Sequence, residues 1–296
     1  MAADLLDDPL DRIRALPIWR GRVEIAPLSG GITNRNYLVH DGGRRLVARL
    51  GGDIPVHGVM RFNEHAASRA AAACGVSPAV RHAEPGLLVL DYIDGESLVP
   101  EQVRAARDSC VALVRRAHDA VGAHLRGPAL AFNVFHIIGD YAHTLAGLPC
   151  RHAAGLGELA AAAAGLRAAV GATTLVFGHN DLLAGNIVDD GHRLWLIDWD
   201  YAGFNTPLFD LGGLSSNNGF DADDDAAMLA GYFGTAVDAA LRRQFAAVTC
   251  ASLLREAMWS MVSEFHSDID FDYAAYTDAN LARFHAAHAA FLDAHA

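Results

Sequence analysis

Between residues 22 and 50 apolar and polar positions alternate with a period of two. Val23–Ile25, Asn36–Val39 and Arg45–Leu50 each put their apolar residues on one face, the mark of half-buried strands. Asp41-Gly42-Gly43 supplies residues that tolerate positive φ between the last two segments, so these read as a hairpin. The period then changes. RFNEHAASRAAAACGV has helical spacing and stops at a glycine ahead of Ser77-Pro78. LLVLDYIDG is a further apolar strand that runs into a polar turn, and residues 8–16 form a helix candidate in front of the strands. From about Glu101 onward the helical period dominates, over 101–124, 156–170, 222–233, 238–264 and 277–294. The interruption at 174–200 holds two short apolar strands, TLVFGH and RLWLIDW, expected to make one hairpin. The pattern predicts an α+β chain of two lobes: a small β-rich lobe over 1–94 and a larger, mainly helical lobe over 95–296.

Composition narrows the classes open to such a chain. With 52% hydrophobic and 20% charged residues it can bury a core, which excludes disorder. No apolar run approaches the ~18 residues of a spanning helix, so no membrane span is expected. The opening MAADLLDDPLDRIRALP is acidic and lacks a basic segment followed by an apolar one, so no secretory signal is expected. Cys74, Cys110, Cys150 and Cys250 lie far apart with no metal-type spacing, which predicts a reducing, cytoplasmic setting. A net charge of -12 argues against nucleic acid, which needs a basic stripe, and is compatible with a cationic small molecule. The sequence leaves the oligomeric state open. All 23 basic residues are arginines, so any role usually given to lysine falls here to arginine.

The chemistry concentrates in HNDLLAGNIVDDGHRLWLIDWD, residues 179–200. Phosphoryl transfer needs metal ions on hard oxygen ligands and an acceptor for the proton of the attacking hydroxyl. Asp181 on a loop, with Asn186 five residues on, supplies an acceptor and one ligand. Asp198, at the end of the next apolar run, supplies a second ligand.

HNDLLAGN followed by LIDWDYAGFNTPLFDLGGLSSNN resembles the catalytic segment of the choline and ethanolamine kinases and their bacterial relatives. These belong to the wider aminoglycoside phosphotransferase group, similar in fold to the protein kinases. The resemblance covers roughly residues 27–285 and implies a two-lobed protein-kinase-like fold that uses ATP and magnesium. It makes Asp181 the catalytic base and Asn186 and Asp198 the magnesium ligands. LSGGITNRNYLV lies where such enzymes close a glycine-containing loop over the phosphates, which gives Ser29, Gly30, Gly31, Thr33 and Asn34. Kinases pair a lysine on the third strand with a glutamate on the next helix. Here LVARLGG offers Arg49, as choline kinases also do, and RFNEHAAS offers Glu64. The adenine edge would meet backbone around Asp91, Tyr92 and Ile93.

For the acceptor, a quaternary ammonium is best held by aromatic faces and a carboxylate. Trp199, Asp200, Tyr201 and Phe204 follow the metal ligand, and the late segment MWSMVSEFHSDIDFDYAAY adds Trp259, Phe271, Asp272, Tyr273 and Tyr276. Of these the acceptor set is taken as Trp199, Asp200, Tyr201, Phe204, Trp259 and Tyr273. The expectation is a kinase of a small cationic amino alcohol, choline first and ethanolamine second, with aminoglycoside or thiamine kinases as alternatives. A non-catalytic nucleotide-binding regulator is the alternative of another class, against which the intact Asp181, Asn186 and Asp198 set speaks. His285, His288 and His295 have no carboxylate at metal spacing. The DADDD run at 221–225 reads as a helix start. Ser97, Ser109 and Ser215 stand in no GxSxG context, which removes a serine hydrolase.

Overall fold

The computed structural model describes residues 8–28 and 34–295. After a short helix α1 (Pro9–Arg14), strands β1 (Glu24–Leu28), β2 (Arg35–Asp41) and β3 (Arg44–Leu50) form an antiparallel meander. Helix α2 (Arg61–Ala73) follows, and then β4 (Val80–Glu84) and β5 (Leu87–Asp91). The five-stranded sheet runs in the order β1-β2-β3-β5-β4. Asp41 pairs with Arg44 across the β2–β3 turn, and Gly42 and Gly43 take φ of 53° and 86°, which a two-residue turn of this kind demands. The alternation seen in the sequence divides β3 between two faces. Leu46, Ala48 and Leu50 pack with Ile13 and Leu16 of the α1 segment in one core, while Val47 and Arg49 line a cavity on the other face.

The chain leaves the sheet through residues 92–95 into β6 (Glu96–Ser97) and then α3 (Pro100–Ala105), α4 (Arg107–His124), α5 (Val134–Ala146) and α6 (Leu156–Val170). Strands β7 (Val176–Gly178), β8 (Ile187–Asp189), β9 (Leu194–Leu196) and β10 (Gly203–Asn205) carry the motif region. Four helices close the chain: α7 (Pro207–Asn217), α8 (Ala222–Phe233), α9 (Ala239–His266) and α10 (Tyr273–His295). The long α9 is the axis of the second core and packs against α5, α6, α7 and α10. Asp221 caps α8 by accepting from the N–H groups of Asp223 and Asp224, so the DADDD run is a helix start, stabilised further by Arg104 and Arg107.

Four expectations change. TLVFGH and RLWLIDW do not pair with each other: β7 pairs with β10, and β9 with β8, which in turn pairs with β6. The span 101–124 is two helices, α3 and α4. Helices α5 and α7 had no place in the sequence reading. Finally, Ala153–Val170 is long and apolar enough, by length and composition alone, to cross a membrane. Its apolarity is mostly alanine, and Leu156, Leu159, Ala163, Leu166 and Val170 are buried in a helix that packs on α5 and α9.

Candidate active site

The loop from His179 to Asn186 leaves β7 in a conformation that needs support. Among the described residues only Asn180 (φ 64°) and Asp198 (φ 69°) are non-glycines with positive φ. Asn and Asp tolerate that region best, and such positions persist only where the surroundings over-determine them. Here they do. Asp210 of α7, buried, accepts the backbone N–H of His179 (2.8 Å) and of Asn180 (2.6 Å), and His118 Nε2 of α4 lies 2.8 Å from the same carboxylate. Asn180 Nδ2 donates to the carbonyls of Tyr201 (3.0 Å) and Gly203 (3.2 Å), while its Oδ1 accepts from Asn205 (3.0 Å). His179 Nε2 donates to the carbonyl of Ile197 at 2.9 Å and its ring meets Trp199 at 4.7 Å. The loop and the segment after Asp198 are thus locked to each other and to α7.

Asp181 is held at the end of this frame. Asn186 Nδ2 donates to the carbonyl of Asp181 (2.9 Å) and to its Oδ2 (3.3 Å), which leaves the amide oxygen of Asn186 free to act as a ligand. Burial pushes the Asp181 carboxyl up to about 8. The nearby charge of Arg255 opposes the rise, and Glu256, Asp198 and Asp200 reinforce it.

On β3, buried Arg49 reaches three carboxylates: Asp198 Oδ1 at 2.7 Å, Asp200 Oδ1 at 3.3 Å and Glu64 Oε1 at 3.6 Å. Burial alone would lower the pKa of the guanidinium; the three carboxylates outweigh it and keep the group charged. Arg61, three residues before Glu64 on α2, donates to Glu64 Oε2 (2.7 Å) and to Asp200 Oδ1 (2.8 Å), and its Nε donates to the carbonyl of Gly52 (2.8 Å). Asp200 Oδ2 accepts Asn34 Nδ2 at 2.9 Å. The result is a buried network of two guanidiniums and three carboxylates that ties β3, α2 and the segment after β9 together. Within it the two arginines hold Asp200 below the usual carboxylate range despite its burial, and burial raises Glu64.

A cavity of about 280 Å³ lies against this network. Arg49, Asn186 and Asp198 line one end of it, the backbone of Asp91–Ile93 the other, with Val47, Leu90, Val188 and Ile197 as apolar walls. The N–H of Asp91 donates to the carbonyl of Ala79 and that of Tyr92 to the carbonyl of Arg45. The N–H of Ile93 has no hydrogen-bond partner within the described chain. The apolar slot with a backbone edge suits a flat heterocycle, and the charged end suits phosphates. No group of three or more His, Cys, Asp or Glu among the described residues could hold a metal by itself. The donor set of one carboxylate and one amide oxygen nevertheless fits magnesium, which commonly takes one or two protein oxygens and completes its shell with phosphate and water.

The expected residues fall into three groups. Asp181, Asn186, Asp198, Arg49, Glu64 and Asp91–Ile93 come together around the cavity and its rim, while Ser29, Gly30, Gly31 and Thr33 lie outside the described residues. The acceptor set does not assemble as expected. Asp200 is a correction: it is 2% exposed and both its oxygens accept from Arg49, Arg61 and Asn34, so it belongs to the buried network. Asn34 belongs to that network as well as to the cleft wall. Trp199 is also corrected: it is 2% exposed and its Nε1 donates to Ser77 Oγ at 2.8 Å, which makes it core. Phe204, 38% exposed, sits on β10 with its ring 5.3 Å from Phe177 and lines no described cavity. Tyr201, Trp259 and Tyr273 do meet: Trp259 Nε1 donates to Tyr201 Oη at 2.9 Å and its ring is 5.9 Å from Tyr273.

Sequence reasoning missed Asp210, Arg61, His118 and the Arg255–Glu256 pair. Each left a trace. Asp210 and Arg255-Glu256 are charges inside apolar helical runs, FDLGGL and SLLREAMW, where a charge needs a partner. Arg61 stands at i-3 from Glu64, a spacing that puts both on one helix face.

Two lobes, a cavity between an edge of backbone and a charged end, and a carboxylate-bearing loop locked from below define a kinase-like phosphotransferase. The chain belongs to the phosphotransferase enzyme family, whose sequence pattern matches residues 24–247. Among solved structures it is similar to a choline/ethanolamine kinase family protein from Mesorhizobium loti, with 30% identity, a TM-score of 0.76 and 94% of each chain covered. The choline kinase LicA from Streptococcus pneumoniae shares the fold, at 22% identity and a TM-score of 0.75 over 89% of this chain and 94% of that one. Protein LicA of Haemophilus influenzae is 26% identical over 193 residues, 62% of this chain. Ethanolamine kinase 2 of Mus musculus is 30% identical over 122 residues, 34% of this chain and 32% of its own. The chain spans about half the length of the LicA relative, 55%, and a third of the mouse one.

Proposed function

We propose that this chain transfers the γ-phosphoryl group of ATP to the hydroxyl of a small cationic amino alcohol of the choline and ethanolamine kind. The observation that carries the proposal is the single cavity in which Arg49, Asn186 and Asp198 face the backbone of Asp91–Ile93, with Asp181 bonded to Asn186 at its rim. The adenine edge docks on the backbone, where the N–H of Ile93 is available to donate. Arg49 grips the phosphates from the strand, its position fixed by Glu64 and Asp200. Magnesium held by Asn186 and Asp198 supplies the charge that neutralises the phosphate oxygens. Asp181 orients the acceptor hydroxyl and takes up its proton as the oxygen attacks in line. Burial pushes its carboxyl up, which favours its taking up a proton. The two lobes meet near residue 94. The family relatives, together with four free cysteines, support a cytoplasmic setting.

The test is ADP release with magnesium-ATP and a panel of choline, ethanolamine, thiamine and kanamycin. Turnover of an amino alcohol that is lost in Asp181→Asn and in Asp198→Asn supports the proposal. Turnover of thiamine or kanamycin alone reassigns the acceptor. No turnover with any of them, with nucleotide binding unchanged in Asp181→Asn, points to a regulator instead.

A further inference from the structure

The loop between β3 and α2 sends one side chain from the first lobe into the second. Ile54 and Val59 bond each other's backbone in both directions, at 2.8 and 3.2 Å, which closes the loop on itself. Gly58, at a φ of 70°, ends the short turn Pro55–His57. His57 is left 8% exposed, and a buried imidazole needs a partner for each nitrogen. Both partners come from the helical lobe. Nδ1 lies 3.0 Å from the hydroxyl of Tyr141 on α5, and Nε2 lies 3.0 Å from Ser263 Oγ on α9. Ser263 donates its one proton to the carbonyl of Trp259 at 2.9 Å. Its oxygen therefore accepts from Nε2–H, and Nδ1 accepts from Tyr141, which fixes the tautomer. Burial and the charges of Arg255 and His266 push the pKa of the ring down to about 3, so it stays neutral.

The ring packs on Trp259, with centroids 5.3 Å apart and planes 38° from each other. The indole Nε1 donates to Tyr201 Oη at 2.9 Å, and the ring of Tyr273 meets it edge-on at 5.9 Å. Trp259, Tyr273 and His57 line a cleft of about 870 Å³ together with Asp53 and Asp268. Aromatic rings with carboxylates nearby are what an ammonium group seeks. Asn34 lines the same cleft and donates to Asp200, two residues beyond Asp198, so the cleft adjoins the segment that carries Asp198. A second cavity, of about 320 Å³, is lined by Tyr141, Tyr201 and Phe132, and among the described residues His57 alone borders both. Open volume rather than packed core thus lies beyond the imidazole. Without that ring the two cavities join, and the indole gains room to turn away from the cleft.

We propose that His57 is a positioning residue: delivered by the loop after β3, it holds Trp259 as the wall against which the acceptor amine rests. This rests on the proposed amino-alcohol kinase activity.

The test is steady-state kinetics with whichever amine the wild-type chain turns over best. The variants are His57→Ala, Tyr141→Phe, Trp259→Phe and the double variant His57→Ala/Trp259→Phe. His57→Ala and Trp259→Phe are each expected to raise KM for the amine by about 5- to 30-fold, toward the upper end of a cation–π contact. Both should leave kcat and KM for ATP within about threefold. Tyr141 lines the cavity behind His57 and not the cleft. Tyr141→Phe removes one hydroxyl and should raise the amine KM by about 3- to 10-fold with KM for ATP unchanged, which keeps the test open if His57→Ala does not fold. The double variant should exceed the larger single loss by no more than about twofold, because both substitutions act through one ring. An unchanged amine KM in His57→Ala or, where that variant does not fold, in Tyr141→Phe makes His57 structural and overturns the proposal. An equal rise in KM for ATP, additive losses in the double variant, or an unchanged amine KM in Trp259→Phe overturns it as well. Turnover of no amine by the wild type sinks the kinase reading beneath it, and that result is told apart because no variant enters it.

Discussion

Asp210 lies outside the cavity lined by Arg49, Asn186 and Asp198, yet its removal should cripple the chain. Three hydrogen bonds converge on this buried carboxylate, from the N–H groups of His179 and Asn180 and from His118. In Asp210→Asn one oxygen can still accept from Asn180, and His118 can change tautomer to meet the new amide, because its other ring nitrogen faces the hydroxyl of Tyr232 at 2.8 Å. The N–H of His179 then faces an NH₂ group. Two buried donors are left opposed, at about 1–3 kcal/mol each, so the variant should lose about 2–6 kcal/mol of unfolding free energy. Asn180 sits at positive φ, and its relaxation would carry Asp181 with it. A shift of about 1 Å in a reacting group costs about 100-fold in rate. We therefore expect kcat to fall about 100-fold while KM for ATP changes less than about threefold. Urea unfolding and steady-state kinetics measure both. There is also a pH signature. Burial alone would raise Asp210, but its hydrogen bonds with His118 and His179 outweigh this and hold its folded pKa below the unfolded value of 3.8. Its contribution to stability is thus present above about pH 4 and lost as pH falls through the folded pKa, so the acid arm of the stability curve should be shallower in Asp210→Asn. Wild-type stability together with wild-type kcat in the variant would refute the reasoning.

Further variants separate the parts of the site. Asp181→Asn should make the ligand-free chain more stable at pH 9 by about 1–2 kcal/mol. With a folded pKa pushed up to about 8, Asp181 costs stability as pH rises from 4 to 8; thermal unfolding at pH 5 and pH 9 checks the sign, and equal Tm differences at the two would count against it. Arg49→Met should lower kcat/KM for ATP by about 100- to 1000-fold, and a loss below about threefold would remove Arg49 from the phosphate site. Asp200→Asn breaks a buried ion network and should lose about 3–5 kcal/mol of stability. The same variant should raise KM for ATP and not for the amine; the reverse pattern in steady-state kinetics would return Asp200 to the acceptor site.

How much of this could be read from the chain depends on how local the cause is. The sheet of the first lobe was legible because period-two alternation, a glycine turn and short connections fix neighbours in sequence as neighbours in space. Helix α5 was not: VFHIIGDYAHTLA follows a proline- and glycine-containing stretch, and Asn133 capping His136 is its start signal. Helix α7 begins at Pro207, which marks a helix start as readily as a turn. The error at 174–200 has a different origin. Two apolar strands flanking a polar loop look like a hairpin, but His179 bonds the carbonyl of Ile197 and Asn180 those of Tyr201 and Gly203. The chain therefore crosses back to pair β7 with β10 and leaves β8 and β9 to each other.

The grouping of the residues expected to be catalytic was legible because they stand as types at fixed spacings: an aspartate, an asparagine five residues on, an aspartate ending the next strand. The acceptor half depends on which group faces which, and spacing does not carry that. Trp199, Asp200 and Tyr201 are adjacent in sequence and go to three different environments: Ser77 in the core, the Arg49–Arg61 network, and the face covered by Arg255. Tyr201 was expected to offer its ring to the substrate amine, and in the structure that ring already carries a cation. The cation is the protein's own arginine, supplied from α9 some fifty residues later in the chain.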